Sequence, residues 1–176
     1  EISKLMDECK SLRIATLGPD VNESYQKFGV NHKGEIRFGL AAIKGMGDAA
    51  ATAIIQEREA HGLYQDIFDF AHRVDFSQVN RKAFESLALS GGFDSFGIPR
   101  ESYFTANSKG ELFIDTLVRY GQLYQNKKSE IEHSLFGGED AVEIATPPIP
   151  KPELWSNIEK LNREHELVGI YLSAHP

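Results

Sequence analysis

The chain has 176 residues, of which 41% are hydrophobic, and its net charge at pH 7 is −7. This composition is typical of a soluble globular protein that can bury a core. It argues against a membrane protein, because no apolar run reaches the roughly 20 residues that a membrane span needs and no secretory signal is recognisable. Cys9 is the only cysteine, which excludes an internal disulfide, and we predict a cytoplasmic protein.

The net charge argues against a nucleic-acid-binding protein, but the distribution of charge weakens that objection. Residues 30–100 carry eight Lys or Arg against nine Asp or Glu, and residues 101–176 carry seven against twelve. The acidity therefore lies mostly in the C-terminal part, and no segment is strongly basic. This argues against tight, independent binding of DNA.

The first 38 residues predict a helix, a short strand and a β-hairpin. Apolar residues at helical spacing in "EISKLMDECKSL" predict the helix, and "RIATL" predicts the strand. The stretch "YQKFGVNHKGEIRFGL" predicts a hairpin with Asn31 and Gly34 in its turn. Both ends of the chain cut through predicted elements, so we expect it to be a piece of a larger protein.

Residues 39–92 predict two successive helical hairpins. We expect a helix from Gly39, then a glycine turn, then an alanine-rich helix from Asp48 to Ala60. The stretch "QDIFDFAHRV" predicts a third helix, and a fourth starts after Asn80 as N-cap and stops at Gly91–Gly92. The predicted order is helix, turn, helix, link, helix, turn, helix.

Beyond residue 99 the pattern stays helical, with a Gly- and Pro-rich linker in "GGEDAVEIATPPIPKPE". A last amphipathic helix follows the linker. Two apolar stripes are expected to face inward, one on the helix before the linker and one on the helix after it: Phe113, Leu117, Tyr120 and Tyr124, and Trp155, Ile158, Leu161 and Val168.

The stretch "KGMGDA" has the residues that a phosphate-binding turn needs. Gly45 and Gly47 permit positive φ and the close approach of a foreign backbone. The helix that opens at Asp48 exposes unpaired amides and the positive end of its dipole, which suits an anion. Inward-facing Met46 and Ile54 and the small Ala51 let the helices pack. The predicted contacts with the DNA backbone are Lys44, Gly45, Met46, Gly47, Asp48 and Ala49. The alternative is a plain turn that only joins two helices.

The second hairpin has no glycine in "DFSQVNRK", so its phosphate contacts would come from Asn80 at the helix start and from Arg81 and Lys82. An ordinary solvated helix end is an equally good interpretation. Two hairpins of this kind would hold a duplex without reading its sequence, because phosphate contacts carry no sequence information directly.

Four stretches resemble the bacterial replicative DNA polymerase III alpha subunit, in that family's order and spacing: "PDVNES", "IRFGLAAIKGMG", "RVDFSQVNRKAFESLALSGGFD" and "EHELVGIYLSAHP". The resemblance covers nearly the whole chain. It implies a mainly α fold that divides as follows: residues 1–38, the end of the fingers region; 39–99, a tandem helix-hairpin-helix domain; 100–136, a helical extension; 137–152, the linker; and 153–176, a helix before a further domain.

The resemblance implies that the parent protein is a template-directed nucleotidyltransferase. Its partners would be a primer-template duplex and the other domains and subunits of the polymerase. In that family the palm carboxylates that hold Mg²⁺ lie upstream of this segment. We therefore expect no catalytic residue, no metal ligand and no cofactor here, and the chain's own carboxylates and histidines show no metal-ligand spacing.

The resemblance also implies a peptide for the sliding clamp in "EHSLFG". Leu135 and Phe136 match the hydrophobic end of such a peptide, and Glu132 stands where the family has glutamine. The expected clamp contacts are Glu132, Ser134, Leu135 and Phe136. The alternative is that Leu135 and Phe136 dock on the preceding helix of the same chain.

Two other functions compete with DNA positioning. A protein-packing scaffold, in which the hairpins bury against neighbouring domains, fits the near-neutral charge of the hairpin region. A helix-hairpin-helix repair glycosylase would need a nucleophilic Lys or a catalytic Asp just past the turn. Asp48 is followed there by small residues and no lysine, which disfavours the glycosylase.

Overall fold

A computed structural model describes residues 16–134 and 144–168. The helix predicted in "EISKLMDECKSL" lies outside the described residues, as do the start of the linker and residues 169–176. Within the described ranges the fold is mainly α, with five α-helices and one small three-stranded sheet. The predicted fold class is confirmed. The division into five segments is not tested and stays a prediction.

The sheet consists of three two-residue strands: β1 (Thr16–Leu17), β2 (Gly29–Val30) and β3 (Ile36–Arg37). β3 lies in the middle, parallel to β1 and antiparallel to β2. The side chain of Asn31 accepts hydrogen bonds from the amides of Lys33 and Glu35, each at 3.0 Å, and Gly34 has a φ of +77°. Asn31 and Gly34 thus build the predicted turn of the hairpin.

Five α-helices follow the sheet: α1 (Asp48–His61), α2 (Ile67–Arg73), α3 (Arg81–Ser90), α4 (Phe113–His133) and α5 (Asn157–Val168). Short 3₁₀ helices lie at Leu40–Ala42, Asp94–Phe96 and Arg100–Phe104. We call residues 40–61 the first hairpin and residues 67–90 the second hairpin. Gly62 ends α1 and Gly91 ends α3, both with positive φ, as predicted from their positions.

Aromatic side chains of the second hairpin and the segment after it form the centre of the core. Phe70 makes edge-to-face contacts with Tyr64, Phe84 and Phe93, at ring-centroid distances of 4.9, 5.4 and 5.0 Å. The Tyr64 hydroxyl donates to the carbonyl oxygen of Ile54 at 2.7 Å, which ties the first hairpin to the same core. This packing fixes the two hairpins relative to each other.

The helix predicted from Gly39 is wrong in its length. The chain forms only one 3₁₀ turn, Leu40–Ala42, before Ile43 becomes extended with a ψ of 129°. The amides of Leu40 and Ala41, which have no partner within a helix, donate to the carbonyl oxygens of Tyr25 and Gln26. The Lys44 amide, which would bond the Leu40 carbonyl oxygen in an α-helix, donates to the Leu167 carbonyl oxygen instead, so the helix does not continue.

The inward stripe predicted for the last helix is wrong at one position. The Ile158 side chain is 61% exposed, whereas Leu161 is buried. Trp155 precedes α5; its ring stacks on Phe104 at 5.6 Å, and the guanidinium of Arg163 lies 4.0 Å from the ring centroid. The side chain of Val168 lies outside the described part of the structure. α5 begins only at Asn157, so Trp155 lies before the helix and Ile158 lies in its first turn.

α5 packs against α3. Glu164 contacts Arg100, which also reaches the carbonyl oxygen of Leu89 near the end of α3. The last turn of α5 reaches the first hairpin, where the carbonyl oxygen of Leu167 accepts a hydrogen bond from the Lys44 amide at 2.9 Å. In the part of the chain that the structure describes, no helix combines the length and apolar character that crossing a membrane requires.

Candidate nucleic-acid interface

The glycine turn, Lys44–Gly47, projects its polar backbone outward and its one large apolar side chain inward. Met46 is buried in the core, as predicted, and its amide donates to the Ile43 carbonyl oxygen at 3.1 Å. Lys44, Gly45 and Gly47 are exposed. The backbone of the turn and the Lys44 ammonium group are therefore accessible to a ligand, while the buried Met46 side chain holds the turn against the core.

The amides at the start of α1 have no acceptor within the described residues. Gly47 is the N-cap residue and has no side chain to accept them, and the first helical hydrogen bond runs from the Ala51 amide to the Gly47 carbonyl oxygen. The amides of Asp48, Ala49 and Ala50 precede that bond, and Asp48 and Ala49 are exposed. Open amides at the positive end of a helix dipole suit a phosphate oxygen.

Gly45 and Gly47 have different roles in the turn. Gly45 has a φ of +84°, and a Cβ atom placed on it would lie 2.6 Å from the Ser86 Oγ atom, so both conformation and packing require glycine. Gly47 has a φ of −79°, and a Cβ atom there would meet nothing within 4 Å. Only Gly45 uses the predicted positive φ. Gly47 leaves the surface beside the open amides free of side-chain atoms.

The start of α3 is capped by the side chain of its N-cap residue, Asn80. The Asn80 Oδ1 atom accepts from the Ala83 amide at 3.0 Å, as expected of an N-cap. Arg81 bonds the carboxylates of Glu85, at 2.9 Å, and Asp115. The hydrogen bond with Asp115 raises the pKa of Arg81, with a smaller opposing effect of burial. This guanidinium is already engaged with two acids of its own chain.

Lys82 links the two hairpins. Its Cε atom lies 3.3 Å from the position of a Cβ atom on Gly45, so its aliphatic stem crosses the glycine turn. Its side chain is 61% exposed, and its ammonium group lies 4.0 Å from the nearest Glu85 carboxylate oxygen. The structure thus brings Lys82 beside Gly45, whereas Arg81 is directed toward Asp115. Sequence spacing could not separate these two neighbours.

Glu132 and Ser134 lie exposed at the end of α4, which stops at His133. The Ser134 amide donates to the Ile131 carbonyl oxygen at 3.2 Å. Leu135 and Phe136, which carry the hydrophobic end of the predicted clamp peptide, lie outside the described residues. Within those residues, no group of three His, Cys, Asp or Glu side chains is placed to hold a metal ion.

The comparison with protein families decides what the two hairpins are. The model of the helix-hairpin-helix motif matches residues 13–103, which include the sheet, both hairpins and the glycine turn. The chain belongs to the helix-hairpin-helix family. The two helical hairpins joined by a core centred on Phe70 are the structural form of this motif here.

Curated relatives match the whole chain. The DNA polymerase III subunit alpha of Pasteurella multocida is 34% identical over 180 residues, covering 100% of this chain and 15% of that protein. The protein of the same name from Vibrio cholerae is 32% identical, covering 98% of this chain and 14% of that protein. The one from Chlamydia trachomatis is 34% identical, with 100% and 14% covered. The predicted resemblance is confirmed, and the chain spans about 15% of the length of these relatives.

Sequence reasoning missed the contact between Lys44 and Leu167 and the ion pair between Arg100 and Glu164. Both join residues that are more than 60 positions apart, and only packing of α5 on α3 brings them together. The one local signal is "EHELVG", which is part of the resemblance but has no spacing that indicates a partner.

Proposed function

We propose that this helix-hairpin-helix chain is a non-catalytic, sequence-independent segment that binds the phosphate backbone of duplex DNA in a replicative DNA polymerase. The observation that carries the proposal is the set of open amides at the start of α1. They follow Gly47, and the aliphatic part of Lys82 lies beside Gly45 in the same turn. The relatives named DNA polymerase III subunit alpha support a primer-template duplex as the ligand. DNA-directed DNA polymerase activity would belong to the parent protein, and a cytoplasmic location stays a prediction.

The interface would bind phosphate in two ways. Asp48 and Ala49 would donate their amides to a phosphate oxygen, while Lys44 and Lys82 supply positive charge from either side of the turn. The Asp48 carboxylate opposes this, because it adds negative charge next to the amides. It also stabilises the start of α1 through the helix dipole. This balance favours a weak grip that depends on the rest of the polymerase.

The test is fluorescence anisotropy of the 176-residue chain with two duplexes of unrelated sequence across a salt series. We expect equal affinities and a log–log slope that corresponds to about two to four phosphate contacts. Gly47→Ala should weaken binding about fivefold or more, because a methyl group would stand between the amides and the DNA. Gly29→Ala is the matched control, since its Cβ atom would make only an ordinary contact of 3.6 Å with Tyr25. Equal affinity of both variants would contradict the proposal.

A second candidate, a protein-packing scaffold, is favoured by the engagement of Arg81 with Glu85 and Asp115. In that case the second hairpin would serve only internal packing and contacts with neighbouring domains. The salt series distinguishes the two, because a scaffold shows no salt-dependent binding to either duplex.

The proposed function includes a sliding-clamp peptide at residues 132–136. Its support is the exposure of Glu132 and Ser134, the two members of the peptide that the structure describes, where α4 ends. The test is binding to the cognate clamp. Leu135→Ala combined with Phe136→Ala should abolish binding, and unchanged affinity would contradict the peptide.

A further inference from the structure

α5 makes two ion pairs with the segment that follows α3, each with a buried carboxylate. The Glu164 carboxylate is 1% exposed and lies 2.8 Å from the Arg100 guanidinium, which is 12% exposed. Arg100 also bonds Asp94 at 2.7 Å. Burial alone would lower the pKa of Arg100, but the contacts with Asp94 and Glu164 outweigh it and raise the pKa. One turn earlier on α5, Lys160 pairs with the buried carboxylate of Glu101.

Buried ion pairs hold a helix in one position rather than over a range of positions. Loss of either partner leaves the other charge without compensation in a poorly solvated site, which is costly. Sliding α5 along α3 would separate Glu164 from Arg100 and Lys160 from Glu101 at the same time. These two pairs therefore set both the position and the rotation of α5.

The same face of α5 contacts the glycine turn. Leu167 follows Glu164 by three residues, so both lie on one side of the helix, about 4.5 Å apart along its axis. The carbonyl oxygen of Leu167 is one of the last four of α5, which lack partners within the helix. It accepts a hydrogen bond from the Lys44 amide at 2.9 Å. The residue that opens the turn thus caps α5, while the amides that follow the turn stay open.

We propose that Arg100 and Glu164 are a positioning pair for the DNA-binding turn: they fix α5, and α5 fixes the turn through the hydrogen bond between Lys44 and Leu167. The functional half of this inference, that docked α5 strengthens binding of DNA, rests on the proposed function. The structural half, that the Arg100–Glu164 pair fixes the turn through α5, does not. By linkage, DNA bound at the turn stabilises docked α5 to the same extent that docked α5 strengthens binding of DNA.

The structural half is tested by amide hydrogen exchange of the free 176-residue chain. Glu164→Gln removes the ion pair, and Glu166→Gln removes the same charge from an exposed site on the same helix. We expect the Lys44 amide to exchange about fivefold faster or more in Glu164→Gln and at the wild-type rate in Glu166→Gln. The Val74 amide, which bonds the Phe70 carbonyl oxygen in the core, should not change. Equal Lys44 rates in the two variants, or equal acceleration of Val74 and Lys44, would overturn the proposal.

The functional half is tested by duplex affinity of the same two variants, which alter long-range charge equally. We expect Glu164→Gln to bind about fivefold more weakly than Glu166→Gln. Equal affinities would overturn positioning even if the exchange result holds. A wild-type chain that binds no duplex at low salt would overturn the proposed function and the functional half together, while the exchange measurement still decides the structural half.

A second pair of variants covers the case in which Glu164→Gln does not fold. Lys44→Pro removes the amide donor, and Lys44→Ala keeps the donor while losing the same side-chain charge. Lys44→Pro should bind duplex about fivefold more weakly than Lys44→Ala and exchange the last-turn amides of α5 faster. Indistinguishable behaviour of the two variants would overturn the role of the Lys44–Leu167 hydrogen bond.

Discussion

The helices that follow the two hairpin turns begin in different ways. α1 begins after Gly47, which cannot accept the first amides, whereas α3 begins after Asn80, which accepts the Ala83 amide at 3.0 Å. The first hairpin leaves all three of its first helical amides to a ligand, whereas in the second the Asn80 side chain accepts one of the three. A tandem motif can thus divide its tasks, with one hairpin binding through backbone amides and the other supporting it and supplying the Lys82 side chain.

The largest effect is expected for Gly45, which gives the first hairpin turn its conformation. Gly45→Ala would force a φ of +84° on a residue with a Cβ atom and press that atom to 2.6 Å from Ser86 Oγ. Strain and crowding together should lower the free energy of unfolding by about 2–4 kcal/mol, measured by urea denaturation. Gly97→Ala is the control, since it has a similar φ of +78° and open space. Equal losses in the two variants would show that contact with Ser86 does not constrain the turn.

The difference between the two helix starts can be removed by giving α1 the same N-cap residue as α3. Gly47→Asn places a capping oxygen beside the open amides, at φ and ψ angles typical of an N-cap. Duplex affinity should fall about tenfold, while the free energy of unfolding rises by a few tenths of a kcal/mol. Anisotropy and urea denaturation measure the two quantities. A variant that binds duplex as tightly as the wild type would show that the amides are not used.

The converse change removes the cap of the second hairpin. Asn80→Ala should lower the free energy of unfolding by about 1 kcal/mol, and Asn80→Ser should restore most of it, because serine also accepts the Ala83 amide. Duplex affinity should stay within about twofold of wild type in both variants. A large loss of affinity in Asn80→Ala that serine does not restore would mean that Asn80 itself contacts DNA.

The smallest expected effects separate the two adjacent cations at the start of α3. Lys82→Ala should weaken duplex binding about threefold and reduce the salt slope by about one. Arg81→Ala should leave affinity nearly unchanged, because its guanidinium is engaged with Glu85 and Asp115. A salt series on both variants checks this. The reverse order of effects would mean that Arg81 leaves its acidic partners to bind phosphate.

Local signals in the sequence predicted most of the fold. Gly62 and Gly91 as helix stops, Asn80 as a cap and Asn31 with Gly34 in the sheet turn are confirmed. Each depends on residues within a few positions of one another. The predicted helix from Gly39 failed because the Lys44 amide, which would bond the Leu40 carbonyl oxygen in an α-helix, bonds the Leu167 carbonyl oxygen instead, and the local pattern does not contain that residue.

The candidate site was predicted only in part for the same reason. The open amides after Gly47 follow from the local rule that helix starts lack acceptors. That Lys82 lies over the turn and Arg81 does not depends on Asp115, which is 34 residues away. The anchoring of the turn by Leu167 depends on a residue 123 positions from Lys44. Packing between elements that are distant in sequence decides such contacts, and the periodicity of the sequence does not predict that packing.

The most direct test of the account is an NMR titration of the ¹⁵N-labelled chain with a short duplex at low salt. The account predicts saturable shifts of the Gly47, Asp48 and Ala49 amides, together with the Lys82 side chain, while the capped Ala83 amide moves little. Shifts confined to the second hairpin, or no shift at Gly47–Ala49 under conditions in which the duplex binds, would contradict the claim that the first hairpin binds phosphate through its open amides.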